Sequence, residues 1–191
     1  MKNSVLLAQL AADKKYDREF DTENWYTFYR TVLDNVGWVV PHFSFTRFNA
    51  GSQSFTADKV IIGLLEAIAT GNEISVVTRT LDAIKQLEDG DNRLVLFESH
   101  SHSAANGNFQ ISSVSEAGNS VIMKLGAFYF SAKSTVTRIL WFSFPSGSSS
   151  FYQGGQTMEL DDEVYSHVRN DIVTKLGTRA AQYIAALDIG G

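Results

Sequence analysis

The segment Glu98-Ser99-His100-Ser101-His102 holds the densest set of chemically competent side chains in the sequence. On an extended chain, side chains alternate with period two, so Glu98, His100 and His102 would point to one side. Two neutral imidazoles and a carboxylate so placed are a ligand set for a transition metal. The plainer reading of His-x-His in a serine-rich stretch is a solvated strand end or loop. His42 and His167 are too distant in sequence to be assigned as partners. A hydrolase or metal-dependent enzyme using His100 and His102 is therefore one functional class to carry forward.

Other catalytic patterns are missing. Hydrolysis by a serine needs a base held by a third group, and no serine stands in a Gly-x-Ser-x-Gly elbow. Gly154-Gly155 and Gly190-Gly191 are not followed by the Lys-Ser/Thr of a phosphate-binding loop. The pairs Asp89/Asp91 and Asp161/Asp162 read as a turn and a helix start. No catalytic residue and no cofactor is assigned.

Aromatic residues are the stronger hint: 13 Phe, 7 Tyr and 3 Trp. Most belong in a core, and any that form an exposed patch would mark an interface or a ligand-binding surface. The candidates for that role are Trp38, His42, Trp141, Phe151 and Tyr152. Phe151 and Tyr152, beside a Ser/Gly loop, are the aromatics most expected at the surface.

These residues are positioned by one globular domain spanning the 191 residues, long enough to bury a sizeable core. The net charge is -5, and the 16 basic residues are dispersed. Dispersed cations on an acidic chain argue against nucleic-acid binding, which rests on phosphate neutralisation. The absence of cysteine excludes disulfides, thiolate catalysis and cysteine-ligated metals. The N-terminal apolar run is short and broken by Gln9, which favours an amphipathic helix over a signal peptide. Localisation stays open between the cytoplasm and export without a cleaved signal.

Periodicity then divides the chain. After the N-terminal helix, Asp21 or Thr22 caps a helix carrying Trp25, Phe28, Tyr29, Val32 and Leu33, with Gly37 as its stop. Residues 38–48 read as an edge strand marked by Pro41. A strongly apolar helix over 57–70 and a second over 73–87 form a hairpin jointed at Gly71-Asn72. Strands are expected at 94–97, 108–116, 121–131 and 136–144, with an irregular one at 151–160 weakened by Gly154-Gly155. The strands 121–131 and 136–144 are apolar on both faces, which places them centrally. A final helix begins at the acidic Asp161-Asp162-Glu163, and Gly177 is expected to bend or break it before Ala180, Tyr183, Ile184 and Leu187 extend an apolar stripe.

The expected fold is α+β. A mainly antiparallel sheet of about five strands is packed by the helical hairpin, the N-terminal helices and the C-terminal helix. Two-sided strands, many aromatics and no convergent catalytic set favour a non-enzymatic, self-associating protein-interaction or ligand-binding module, a homo-oligomer or a partner of another protein. The alternative is a secreted effector or toxin-type protein acting on membranes, drawn from the apolar hairpin. The 57–70 helix would span only ~20 Å of a ~30 Å hydrocarbon layer, and Asp58, Lys59 and Glu66 count against insertion, so a buried role is favoured over a membrane one.

Overall fold

The computed structural model describes residues 2–118 and 120–186, the side chains of Leu96 and His100 excepted. Among them are six helices: α1 (Lys2–Lys15), α2 (Thr22–Asn35), α3 (Ala57–Glu66), α4 (Gly71–Lys85), α5 (Asn92–Ser101) and α6 (Asp162–Ala186). Six strands, β1 (Trp38–Val39), β2 (Thr46–Arg47), β3 (His102–Ser103), β4 (Asn106–Ala117), β5 (Ser120–Ala132) and β6 (Ser149–Leu160), form one antiparallel sheet. Its order is β1-β6-β5-β4-β3, with β2 also paired to β6. The fold is α+β. The chain divides into two compact units, Met1–Val40 with Glu116–Val121 and Glu159–Gly191, and Pro41–Ser115 with Ile122–Met158.

In the first unit, α1 buries Ser4, Ala8 and Ala12, one residue per helical turn. Side chains this small let α2 pack closely against α1. From α2 come Trp25, Tyr26, Tyr29 and Leu33, all buried. The Trp25 ring stacks on Tyr29 at 5.3 Å, and its Nε1 donates to Asp13 Oδ1 at 2.7 Å. Trp38 Nε1 donates to Ser4 Oγ at 3.0 Å. These bonds satisfy indole donors that would otherwise be costly to bury. Burial also pushes the Tyr29 phenol well above its ordinary pKa. At the end of α2, Gly37 adopts φ +101° and accepts a hydrogen bond from Asp161 N at 2.7 Å. A Cβ there would stand 3.0 Å from Asp161 O and Tyr165 N, so this junction favours glycine for its angle and for its space.

In the second unit, α3 and α4 supply Val60, Ile61, Leu65, Val77 and Leu81 to a core shared with Phe109, Phe128, Phe130, Phe144 and Phe151. The apolar character of α3 is therefore that of a helix buried in protein. Two glycines let β6 lie close to its neighbours. A Cβ on Gly154 would overlap the Phe43 ring, and one on Gly155 would stand 3.2 Å from Leu64 of α3. The two faces of β6 are thus hollowed at successive residues, and the strand runs unbroken through both glycines.

β5 is the central, two-sided strand anticipated for 121–131: Leu125 and Ala127 alternate with Phe128 and Phe130, and all four are buried. Several expectations are corrected. Residues 94–97 belong to helix α5, started by Asp91, whose Oδ1 accepts from Arg93 N at 2.9 Å. Residues 136–144 form no ladder strand. Arg138 adopts φ +50°, and the backbone groups bond elsewhere: Val136 N to Ala104 O, Ile139 N to the Glu98 carboxylate, and Leu140 O to Asp58 N. The run is buried as a turn-rich segment instead. The 38–48 strand is reduced to two short pieces, β1 and β2, separated by the chain around Pro41. The hairpin joint lies before Gly71 rather than at Gly71-Asn72, because Thr70 starts α4 in a reciprocal capping box with Glu73. Helix α6 passes through Gly177 without a break.

Candidate functional site

Of the residues singled out in the sequence, Glu98 and His102 are brought into contact. Trp38 and Phe151 are each 1% exposed and serve as core, so Phe151 is not the surface aromatic expected. Tyr152 is half-buried and stacks on Tyr129 at 4.4 Å. Trp141 is half-buried, with the Arg138 guanidinium 5.5 Å from its ring centre. His42 is exposed.

At the histidine segment the helical conformation of α5 replaces the extended geometry that placed Glu98, His100 and His102 on one side. His102, four residues after Glu98, brings its Nε2 to 2.8 Å from Glu98 Oε2. The same carboxylate accepts from Ile139 N at 3.0 Å. The imidazole nitrogen facing the other way, Nδ1, is buried without a hydrogen-bond partner among the described residues. A general base must reach the proton it removes. Here one ring nitrogen is held by Glu98 and the other is enclosed. The His100 side chain lies outside the described residues. Among those described, no group of three or more His, Asp or Glu side chains is placed to share a metal ion.

A groove of about 580 Å³ runs along α4 and β4 in the second unit. Its apolar walls include Val76, Val77, Leu81, Phe97, Ile111 and Val114. Val76 and Val114 are 57% and 42% exposed, so its rim is open to solvent. At one end stands Glu73. Its carboxylate accepts from Lys124 Nζ at 2.5 Å, from Ser115 Oγ at 3.1 Å and from Thr70 N at 2.7 Å. Lys124 and then the Thr70 N–H stabilise the carboxylate, lowering the Glu73 pKa to about 2. Glu73 therefore stays ionised, and its charge is already matched. Sequence reasoning missed this cluster. The Thr70-x-x-Glu73 spacing is a readable helix start, whereas the pairing with Lys124, fifty-one residues on, is not local.

The second feature is the outer half of α6 in the first unit. Tyr165 and Ile172 are the buried residues of this helix. Beyond Ile172, Val173, Tyr183 and Ile184 are 48%, 65% and 67% exposed. With half-buried Leu176 and exposed Ala180 they recur at three- and four-residue spacing, the pattern of a helix face that packs. Ala180, Tyr183 and Ile184 belong to the stripe read from the sequence, Val173 is not part of that reading, and Leu187 lies outside the described residues. Apolar surface is thus left uncovered along this helix, and the sheet aromatics are largely inside. Among the described residues no helix is long and apolar enough to cross a membrane.

No family model matches the chain, and no curated protein matches it. A solved structure named delta-endotoxin is similar to it at 14% identity and a TM-score of 0.46, covering 83% of this chain and 74% of that one.

Proposed function

We propose that the protein is a non-enzymatic interaction module that self-associates through the outer half of α6. The observation that carries this reading is the stripe of exposed Val173, Ala180, Tyr183 and Ile184 together with half-buried Leu176. A helix half with so little cover gains most of its stability from packing against something else. A second copy fits. Antiparallel pairing about a two-fold axis between residues 178 and 179 sets Val173 opposite Ile184, Leu176 opposite Ala181, and Gly177 opposite Ala180. Small residues then lie at the crossing and larger ones at its ends. No two like charges face each other in this register: Lys175 meets Gln182, and Arg179 meets Thr178. Sedimentation velocity across the micromolar range tests the proposal. The expected result is a concentration-dependent dimer that the variant Tyr183→Glu/Ile184→Glu abolishes. A wild-type monomer at every concentration sinks it.

A second reading, action on lipid membranes, is favoured by strand length. β4, β5 and β6 have 12, 13 and 12 residues, each longer than the ~9–11 that a tilted strand needs to cross a bilayer. The helical hairpin is no longer the element that recommends it, since α3 has only 10 residues. Dye release from liposomes, neutral and anionic, at neutral and acid pH, decides. Intact vesicles under all four conditions remove this reading.

A further inference from the structure

We infer that the cleft between α1 and α6 binds a single-chain anionic amphiphile, a carboxylate on a long alkyl chain. The cleft lies wholly in the first unit, and its volume of about 890 Å³ is within the range of small-molecule sites. Its walls are hydrocarbon: Leu7, Leu10 and Ala11 on α1, Phe28 on α2 and Leu176 on α6, all half-buried. Four exposed cations line it as well, Lys14 and Lys15 on α1 and Lys175 and Arg179 on α6. Thr178 and Gln182 complete the lining, so among the described residues no carboxylate borders the cleft.

Charge and shape choose the occupant. The chain as a whole carries -5, yet four of its 16 basic residues, dispersed in sequence, meet here without an acid. No ion pair among the described residues engages any of the four. Lys15 Nζ stands 4.1 Å from the centre of the Phe28 ring, so one ammonium is held directly against the apolar wall. Lys14 and Lys15 also suit the last turn of α1, where cations complement the helix dipole. That reason does not extend to Lys175 and Arg179, which stand in the interior of α6. An anion without hydrocarbon, such as phosphate, would leave the leucine walls wet, and a neutral hydrocarbon would draw nothing from the four cations. A bilayer surface is broad and would meet the exposed cations while the half-buried walls stay recessed. One alkyl chain ending in a carboxylate matches both parts. The cleft also differs from the stripe proposed for self-association: Lys175, Arg179 and Gln182 lie on one flank of α6, and Val173, Ala180 and Ile184 on the other.

Dansylaminoundecanoate, a fluorescent fatty acid, is the direct probe. The full chain is expected to bind it saturably, one molecule per chain, with enhanced, blue-shifted emission. Dodecanoate below its micellar concentration should displace the dye, dodecanol should do so roughly tenfold less well, and butanoate and inorganic phosphate should be inactive; one hydrogen bond between charged groups accounts for a difference of this order. Added salt should weaken dodecanoate and leave dodecanol unchanged. Lys14→Gln/Lys175→Gln/Arg179→Gln, three exposed changes, should erase the preference for the acid over the alcohol. Ala11→Trp should block dye binding by filling the cleft; if that variant fails to fold, Thr178→Trp at the exposed rim replaces it. Ile184→Ser, on the stripe flank, should bind the dye as the wild type does, whatever it does to dimerisation. The inference is overturned by no saturable binding, by equal displacement by acid and alcohol, by a preference for the acid that the glutamine variant leaves intact, by binding that both tryptophan variants leave intact, by binding lost with Ile184→Ser, or by phosphatidylglycerol vesicles displacing the dye where dodecanoate does not.

Discussion

Neutralising Glu73 should loosen the second unit by an amount that depends on pH. In the folded protein its carboxyl titrates at about 2, against an ordinary value of 4.5. A depressed folded-state pKa contributes stability that is present above pH 4.5 and disappears as pH falls toward 2. The gap corresponds to at most about 3.4 kcal/mol. Glu73 and Lys124 each keep 13% of their side-chain surface in water, so screening lowers the expected contribution to on the order of 1–2 kcal/mol. Glu73→Gln keeps the shape and can still accept from Thr70 N, so it chiefly removes the charge opposed to Lys124. Urea unfolding should show the variant less stable by that amount at pH 7, with the difference closing between pH 4.5 and pH 2. Adding Lys124→Met completes a double-mutant cycle, whose coupling should be about 1 kcal/mol or more. A difference that stays constant from pH 7 to pH 2, or a coupling below about 0.3 kcal/mol, refutes the reasoning.

Three further outcomes follow from packing and caps. Gly154→Ala should cost about 1–3 kcal/mol, because the new methyl overlaps the Phe43 ring and stands 2.9 Å from Ser44 O; Gly147→Ala, with nothing within 4 Å, should be near neutral, and paired thermal melts compare them. Phe151→Ala should cost about 3–5 kcal/mol in chemical denaturation, since Phe151 contacts the rings of Phe55, Phe128, Phe130 and Phe144. Thr70→Ala should cost about 1 kcal/mol by removing the cap of α4, and Thr70→Ser should restore most of it.

The elements most legible in the sequence are those whose pattern is local and long. The aromatic spacing of α2, the two-sided run of β5 and the acidic start of α6 each declare their element without outside help. The four apolar residues 94–97 do not, because so short a run fits a strand or one turn of helix equally. Asp91, capping Arg93 N, decides for the helix. Residues 136–144 alternate like a strand, yet their backbone partners outside the run are Ala104, Glu98, Asp58 and, in a single antiparallel bridge to Phe144, Phe55, none of which local spacing can reveal. The histidine segment was misjudged for the same reason: once 92–101 is helical, Glu98 meets His102 four residues on. At the Glu73 cluster, Thr70-x-x-Glu73 was readable, but Lys124 joins it only through the sheet. The exposed half of α6 was half legible. The sequence shows its stripe, and only the packing shows that the stripe is bare.

The paired hollows at Gly154 and Gly155 tie residue sizes together at a distance. Phe43 occupies the volume that a side chain at 154 would take, and Leu64 borders the volume at 155. A bulkier residue at 154 is therefore expected to require a smaller one at 43, while 155 trades against 64 on the opposite face. Sequences that share this fold should vary at these positions as two separate pairs, and a swap such as Phe43→Leu with Gly154→Ala should recover only the part of the lost stability that comes from the Phe43 ring, since the contact with Ser44 O remains.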